Sequence, residues 1–219
     1  MRGRLIFGNI LAVAACALVY ELMLGTLASY ALGDAVREFS ITIGLYLASM
    51  GLGAALSAKI GERAAERYVE AELVLAVCGG ASVPLLFSFH GGGAALRALV
   101  YAAVVVLGTL VGLELPLLVR ISKGESPFAD AVSRALAYDY AGALVAAIAF
   151  PVILVPRLGL VRASLATGAL NALCALSATW FLAPSLGARR GPLRAASALA
   201  FCGLVAVIFF VNPARMAAE

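Results

Sequence analysis

Charged residues are scarce in this sequence. Of its 219 residues, 13% are charged and 63% are hydrophobic, and the mean hydropathy is +1.03. A soluble domain of this size has about a quarter of its residues charged. Because one water-soluble core cannot bury so many apolar residues, we expect an integral membrane protein whose surroundings are the lipid bilayer. The formal net charge of +4 then reflects loops that face the cytoplasm rather than an anionic partner.

Residues that carry catalysis or bind metals are also few. The sequence has one histidine, His90, and four cysteines that lie in apolar runs without a Cys-x-x-Cys pair: Cys16, Cys78, Cys174 and Cys202. Isolated cysteines of this kind are typical packing residues. A Ser-His-Asp triad is excluded because there is no Gly-x-Ser-x-Gly elbow. We therefore expect no catalytic residue, no cofactor, no metal ion and no nucleic-acid partner.

Seven segments are apolar over the length of a membrane span, which takes about 20 residues of helix. The first is too long for the apolar region of a signal peptide and has no Ala-x-Ala-like cleavage pattern. The connections are short and rich in Gly, Pro and charge. The sequence predicts an all-α fold, a polytopic membrane helix bundle in a single transmembrane domain, 1–219, with spans at roughly 5–30, 39–59, 69–89, 95–119, 133–155, 161–182 and 195–212.

The distribution of basic residues predicts the orientation, because cytoplasmic loops carry an excess of Lys and Arg. With the N-terminus in the cytoplasm and seven spans, the five basic residues on the outer side are Arg37, Arg97, Arg157, Arg162 and Arg215. The eleven on the inner side are Arg2, Arg4, Lys59, Arg63, Arg67, Arg120, Lys123, Arg134, Arg189, Arg190 and Arg194. The bias favours a cytoplasmic N-terminus.

Two patterns concern how the helices pack. Small residues recur about every four positions in the second span, at Gly44, Ser49, Gly53 and Ser57, which is typical of close helix packing. The motifs "YELMLG" and "LELPLL" place a Glu-Leu-x-Leu at matching points of spans 1 and 4, 93 residues apart. Similar spacings separate equivalent residues of spans 2 and 5 and of spans 3 and 6: Tyr46 and Tyr138, and Gly79 and Asn171. Units of three helices that start on opposite sides would form a 3+3 inverted repeat plus one helix, as in many transporters.

Four acidic residues lie within or at the ends of the spans: Glu21, Glu72, Glu114 and Asp139. Placing an acid at the bilayer centre costs about 2.5–3.5 kcal/mol on insertion scales, so such residues face a bundle interior or a wet cavity. Glu72 is expected at the start of the third span, where a helix N-terminus favours a carboxylate. The alternative to a functional role is a protonated acid that hydrogen-bonds to a neighbouring helix.

The surroundings of these acids favour a cation over an anion. No arginine lies centrally in a span, so the acids must be neutral, hydrated or bound to an external cation. Pro116 follows Glu114 closely and removes a helical hydrogen bond, which leaves a carbonyl available near residue 112. Tyr20, Tyr46, Tyr138 and Tyr140 offer cation–π faces and Asn171 another polar group, so these residues join the four acids as candidate binding residues.

Four stretches together resemble the transmembrane spermidine synthases, which are bacterial membrane-bound polyamine aminopropyltransferases. The stretches begin "CALVYELMLGTLASYALGDAVREF", "YVEAELVLAVCGGAS", "VGLELPLLVRI" and "LAYDYAGALVAAIAFPVILVPRLGLVRASLATGALNAL", and they cover residues 14–180 in order. The resemblance implies a multi-helix domain in the bacterial inner membrane, followed by a soluble catalytic domain. That domain's glycine- and aspartate-rich loop and acids have no counterpart here, so the resemblance assigns no enzymatic activity to these residues.

Three functional hypotheses follow. The first is a membrane domain that binds or moves a small cation such as a polyamine. The second is a non-catalytic anchor or scaffold for a partner membrane protein or a soluble synthase domain. The third is that the chain is a fragment of a full-length membrane spermidine synthase.

Overall fold

The computed structural model describes residues 2–89, 91, 93–122 and 128–210, and this part of the chain contains helices and no strand. The all-α fold class is therefore confirmed. The helices are α1 (Arg2–Leu32), α2 (Ala35–Ser57), α3 (Ala64–Phe87), α4 (Gly93–Ser122), α5 (Phe128–Ala149), α6 (Val155–Phe181), the short α7 (Ala183–Leu186) and α8 (Arg190–Phe210). Each predicted span overlaps one of the long helices.

Six continuous helical stretches in the described residues are long and apolar enough to cross a membrane. The count is six rather than seven because α5 and α6 are joined by a π-helical turn, Phe150–Leu154, into one stretch of 53 residues, Ala129–Phe181. At 1.5 Å per residue that stretch is far longer than the ~30 Å hydrocarbon core. Its regular geometry stops at Gly159, which has φ 69° and ψ 169°.

Helix α1 lies at the centre of the assembly and contacts α2, α4, α5 and α6. The most extensive pairings are α2 with α4, α3 with α6, and α1 with α5, while α8 packs on α6 and along the edge of α3. The interior is built from the apolar faces of α1, α3, α4 and α6. Many large apolar side chains are exposed, for example Leu47, Leu144 and Phe209.

Small residues permit the tightest of these pairings. Gly53 on α2 faces the backbone of Thr109 and Gly112 on α4, and Gly112 in turn faces the backbone of Met50. Ser49, Gly53 and Ser57 of the predicted small-residue face are buried, whereas Gly44 is exposed. Close approach of the two backbones brings many atoms into dispersion contact, which is how helices associate in lipid.

Candidate functional site

A cavity of about 490 Å³ lies between α1, α2, α4 and α5. Most of its lining is apolar, but three acidic residues from three different helices line it: Glu21 on α1, Glu114 on α4 and Asp139 on α5. Tyr46 and Tyr140 also line it. The volume lies in the range of small-molecule sites, which are typically about 300–1,000 Å³.

The residues of α1 and α5 that line the cavity are spaced three or four positions apart, as expected for one face of a helix. Ala14, Ala17, Leu18 and Glu21 recur at three- and four-residue intervals and share one face of α1, and all four line the cavity. On α5, Asp139 and Ala143 share a face in the same way. Glu21 and Asp139 are half-buried, so both carboxyls are partly removed from solvent.

The α4 wall combines an acid with a proline inside the helix. Glu114 is 3% exposed, and Pro116 lies inside α4 two residues later. Because proline has no N–H, the carbonyl of Gly112 lacks its usual helical donor, and both Gly112 and Pro116 line the cavity. This wall therefore offers a carboxyl and a backbone acceptor next to each other.

The cavity carboxyls have no cationic partner among the residues that the structure describes. No Lys or Arg of this part of the chain forms an ion pair with Glu21, Glu114 or Asp139. Glu38 provides the contrast. It is 1% exposed, about as buried as Glu114, but it pairs with Arg97 at 3.2 Å and accepts a hydrogen bond from Tyr101 at 2.7 Å. Sequence analysis did not single out Glu38, whose partners lie about 60 residues away.

A largely buried polar cluster lies outside the cavity lining. Asn171 Nδ2 on α6 donates to Glu72 Oε2 on α3 at 2.9 Å, and both side chains are completely buried. Tyr68, one turn before Glu72, donates its hydroxyl to Asn9 Oδ1 on α1. Asn9 Nδ2 donates to the Cys174 carbonyl at 3.2 Å and to Ser177 Oγ at 2.9 Å on α6. The cluster therefore ties α1, α3 and α6 together.

The candidate binding residues thus fall into three places. Glu21, Tyr46, Glu114, Asp139 and Tyr140 line the cavity, although the Tyr46 hydroxyl already donates to the Ala17 carbonyl at 2.9 Å. Glu72 and Asn171 belong to the buried cluster. The other two tyrosines are away from the cavity. Tyr20 is buried against Gly79, with its hydroxyl 3.5 Å from the Leu75 carbonyl, and Tyr138 stacks on Phe7 at 5.3 Å between ring centroids.

The expected position of Glu72 at the start of a helix was wrong. Helix α3 begins at Ala64, so Glu72 lies in its third turn and is fully buried. Hydropathy placed the start too late because the first two turns of α3 carry polar residues that are helical all the same. Asn9 and Tyr68 were missed. Asn9 was visible as the one amide in an apolar run, but its partners come from distant parts of the sequence.

Comparison with curated proteins finds relatives that are named polyamine aminopropyltransferases. The chain is 43% identical over 174 residues to "Polyamine aminopropyltransferase" of Leptospira interrogans, a match that covers 80% of this chain and 35% of that protein. It is 43% identical over 174 residues to "Polyamine aminopropyltransferase 2" of Ralstonia nicotianae, covering 78% and 34%. With "Polyamine aminopropyltransferase 2" of Streptomyces coelicolor the identity is 38% over 179 residues, covering 77% and 32%.

The chain spans about a third of the length of the curated relatives that it matches. No protein-family model matches the sequence. No solved structure matches it either.

Proposed function

From the premise that this chain is a homologue of the polyamine aminopropyltransferases, we propose that it is a multi-pass membrane domain that binds a small organic cation such as a polyamine. The binding site is the cavity between α1, α2, α4 and α5. The observation that carries the proposal is the convergence of Glu21, Glu114 and Asp139 on this one cavity.

The electrostatics of the cavity support a cationic ligand. A carboxylate in an apolar interior is strongly destabilised unless it is paired or hydrogen-bonded. Glu38 meets this requirement within the chain, whereas the cavity acids have no cationic partner in the described residues. Ammonium groups of a ligand would supply the missing donors and positive charge, and the exposed ring of Tyr140 adds a face for a cation–π contact.

Helix pairings support the inverted repeat expected from the sequence. If α1, α2 and α3 correspond to α4, α5 and α6, a two-fold operation exchanges the α1–α5 pair with α4–α2 and the α1–α6 pair with α4–α3. All four pairings occur in the structure, and the self-equivalent pairs α3–α6 and α1–α4 are also in contact.

Two hydrogen-bonded residue pairs between α3 and α6 lie at positions that the same two-fold operation would exchange. Asn171 on α6 donates to Glu72 on α3 at 2.9 Å, and Ser164 on α6 donates to the Gly79 carbonyl on α3 at 2.8 Å. Ser164 lies 92 residues after Glu72, and Asn171 lies 92 residues after Gly79. The two residue pairs therefore occupy corresponding positions under the spacing that the sequence pattern predicted, although α6 carries the donor in both.

Residues that the proposed repeat would pair line the cavity together. They are Glu21 of α1 with Glu114 of α4, and Gly51 of α2 with Ala143 of α5. A site between inverted repeats is the arrangement that lets transporters expose one ligand to either side of the membrane. This supports movement of the cation across the membrane in addition to binding.

Calorimetric titration of spermidine into the purified chain in lipid nanodiscs tests the proposal. We expect Glu21→Gln and Asp139→Asn each to weaken binding roughly tenfold or more, because a charge-assisted hydrogen bond contributes about 1.5–3 kcal/mol. Asp130→Asn is the matched control, since Asp130 is an exposed acid on α5 outside the cavity. Unchanged affinity in both cavity variants, with folding preserved, would contradict the proposal.

A membrane anchor or scaffold is the second candidate function. The match covers about a third of each relative, so in those proteins the matched region is accompanied by further sequence. This coverage favours the anchor or scaffold. An anchor predicts co-purification with a partner protein and no shift in melting temperature on adding spermidine. The cation site predicts a spermidine-dependent increase in melting temperature that Glu21→Gln abolishes.

A further inference from the structure

The cavity acids lie at different heights along the helix axes, and packing contacts give the height of Asp139. Tyr138 of α5 stacks on Phe7 of α1 at 5.3 Å between ring centroids, and Gly142 of α5 lies against the backbone of Leu11. Both contacts join residues that are 131 positions apart in the sequence, so α5 runs parallel to α1 with a constant offset. Asp139 is therefore level with position 8 of α1.

Glu21 lies at the opposite end of the cavity from Asp139. It follows position 8 of α1 by 13 residues, which is about 20 Å along the helix axis at 1.5 Å per residue. An ammonium group contacts a carboxylate oxygen at about 2.7–2.9 Å. One ammonium group therefore cannot contact both of these acids at the same time.

Contacts between α1 and α2 relate the heights of these two helices. Gly25 of α1 lies against the Phe39 ring, and the Tyr46 hydroxyl donates to the Ala17 carbonyl at 2.9 Å. Positions therefore fall along α1 as they rise along α2, and the two helices are antiparallel. Met50, four residues after Tyr46, is level with about position 13 of α1.

Glu114 lies at the same end of the cavity as the α5 acid. Helix α4 runs parallel to α2, because Gly108 lies against the backbone of Tyr46 and Gly112 against that of Met50. Glu114 follows Gly112 by two residues and is therefore level with about position 11 of α1. Two acids are thus found at one end of the cavity and one acid at the other.

The lining between the two ends is apolar. Its one hydroxyl, on Tyr46, already donates to the Ala17 carbonyl. The carbonyl of Gly112, which lacks its helical donor, lies beside Glu114 and belongs to the end with two acids. A charged group placed midway would lose its hydration without gaining an acidic partner, which is costly. The side chains that form this middle section include Val13, Ala14, Ala17, Met50 and Val111.

We propose that the cavity selects a linear dication whose two ammonium groups are joined by an uninterrupted hydrocarbon chain. One ammonium group binds Glu21, the other binds Asp139 and Glu114, and the chain contacts the apolar middle section. Allowing for an ammonium–carboxylate contact at each end, the two nitrogens are about 10–15 Å apart. The proposal rests on the proposed function, since it specifies the ligand of that same cavity.

Titration of three amines into the wild-type protein in nanodiscs tests the ligand class, with protein-free nanodiscs as the reference. 1,8-Diaminooctane has as many chain atoms between its terminal nitrogens as spermidine but a methylene in place of the internal amine, and 1,4-diaminobutane is a shorter dication. We expect 1,8-diaminooctane to bind about fivefold or more tightly than spermidine, whose internal ammonium meets the apolar lining. We expect it to bind about tenfold or more tightly than 1,4-diaminobutane, which reaches one end only.

The outcomes separate this proposal from the proposed function. Spermidine that binds as tightly as 1,8-diaminooctane overturns the requirement for an uninterrupted chain, and equal binding of the two diamines overturns the two-ended site. In both cases the cation site itself stands. Failure of all three amines to bind overturns the proposed function and this proposal together.

Glu21→Gln distinguishes a two-ended site from a general preference for longer hydrocarbon chains. We expect this variant to bind 1,8-diaminooctane about tenfold more weakly and 1,4-diaminobutane with unchanged affinity, because the short dication occupies the end with Asp139 and Glu114. Glu62→Gln, at an exposed acid outside the cavity, is the matched control and changes neither affinity. Equal effects of Glu21→Gln on both diamines overturn the proposal, and the wild-type comparison decides alone if the variant does not fold.

Discussion

Gly53 allows α2 and α4 to meet backbone to backbone. A methyl group at this position would collide with the carbonyl of Thr109 and lie 3.0 Å from the Cα of Gly112. We expect Gly53→Ala to lower the free energy of unfolding by about 1–3 kcal/mol, the usual cost of overpacking. Thermal unfolding in detergent, followed by intrinsic fluorescence, measures the change.

The matched control is Gly44→Ala on the same helix. Nothing lies within 4 Å of a methyl group placed there, and alanine is the better helix former, so stability should stay the same or rise slightly. Equal melting temperatures for Gly53→Ala and Gly44→Ala would show that the α2–α4 contact is not as close as the structure has it.

Single residues also show what the sequence reveals about the site. An acidic residue within an apolar run can be recognised from the sequence alone, so Glu21, Glu114 and Asp139 could be selected as candidates. Whether an acid is paired depends on side chains that arrive from other helices. The partners of Glu38, Arg97 and Tyr101, both lie on α4, and the sequence around Glu38 does not predict either contact.

Gly159, near the start of α6, interrupts the regular geometry of the longest helical stretch. Its φ of 69° with ψ of 169° falls in a region that only glycine occupies readily. We expect Gly159→Ala to destabilise the protein by about 1–3 kcal/mol, because the added Cβ strains this backbone although nothing lies within 4 Å of it.

Gly203→Ala separates backbone strain from a general effect of adding a methyl group. Gly203 lies within α8 with helical geometry, and nothing lies within 4 Å of a methyl group there. Its substitution should leave the melting temperature unchanged or slightly raised. If Gly159→Ala behaves in the same way, the chain does not need a positive φ at this position of α6.

The individual helices could be located from the sequence, because an apolar run of about 20 residues is a strong and local signal. Their ends could not. Polar first turns extend α3 back to Ala64, and α5 begins at Phe128 rather than 133. The π-helical turn at Phe150–Leu154 was also not foreseen, since Pro151 and Pro156 indicate an interruption without saying which kind.

The candidate binding cavity forms only when the helices of the whole molecule pack together. The small-residue pattern of α2 indicated close packing but not its partner, which is α4. Likewise, each cavity wall comes from a different helix, so the cavity exists only after α1, α2, α4 and α5 have packed. Helix neighbours are set by the shapes of complete surfaces, which hydropathy along one chain does not encode.

Membrane topology at the scale of the whole chain depends on whether the polypeptide reverses at Gly159. If it does, α5 and α6 are separate spans, and with a cytoplasmic N-terminus positions 88 and 157 lie outside while 62 and 185 lie inside. We expect Ser88→Cys and Arg157→Cys, introduced without the two exposed native cysteines, to react with a membrane-impermeant maleimide in intact spheroplasts. Glu62→Cys and Ser185→Cys, which are equally exposed positions, should react only after permeabilisation. Labelling of position 185 from outside would mean that α5 and α6 cross the membrane once, and the two repeats would then not be inverted.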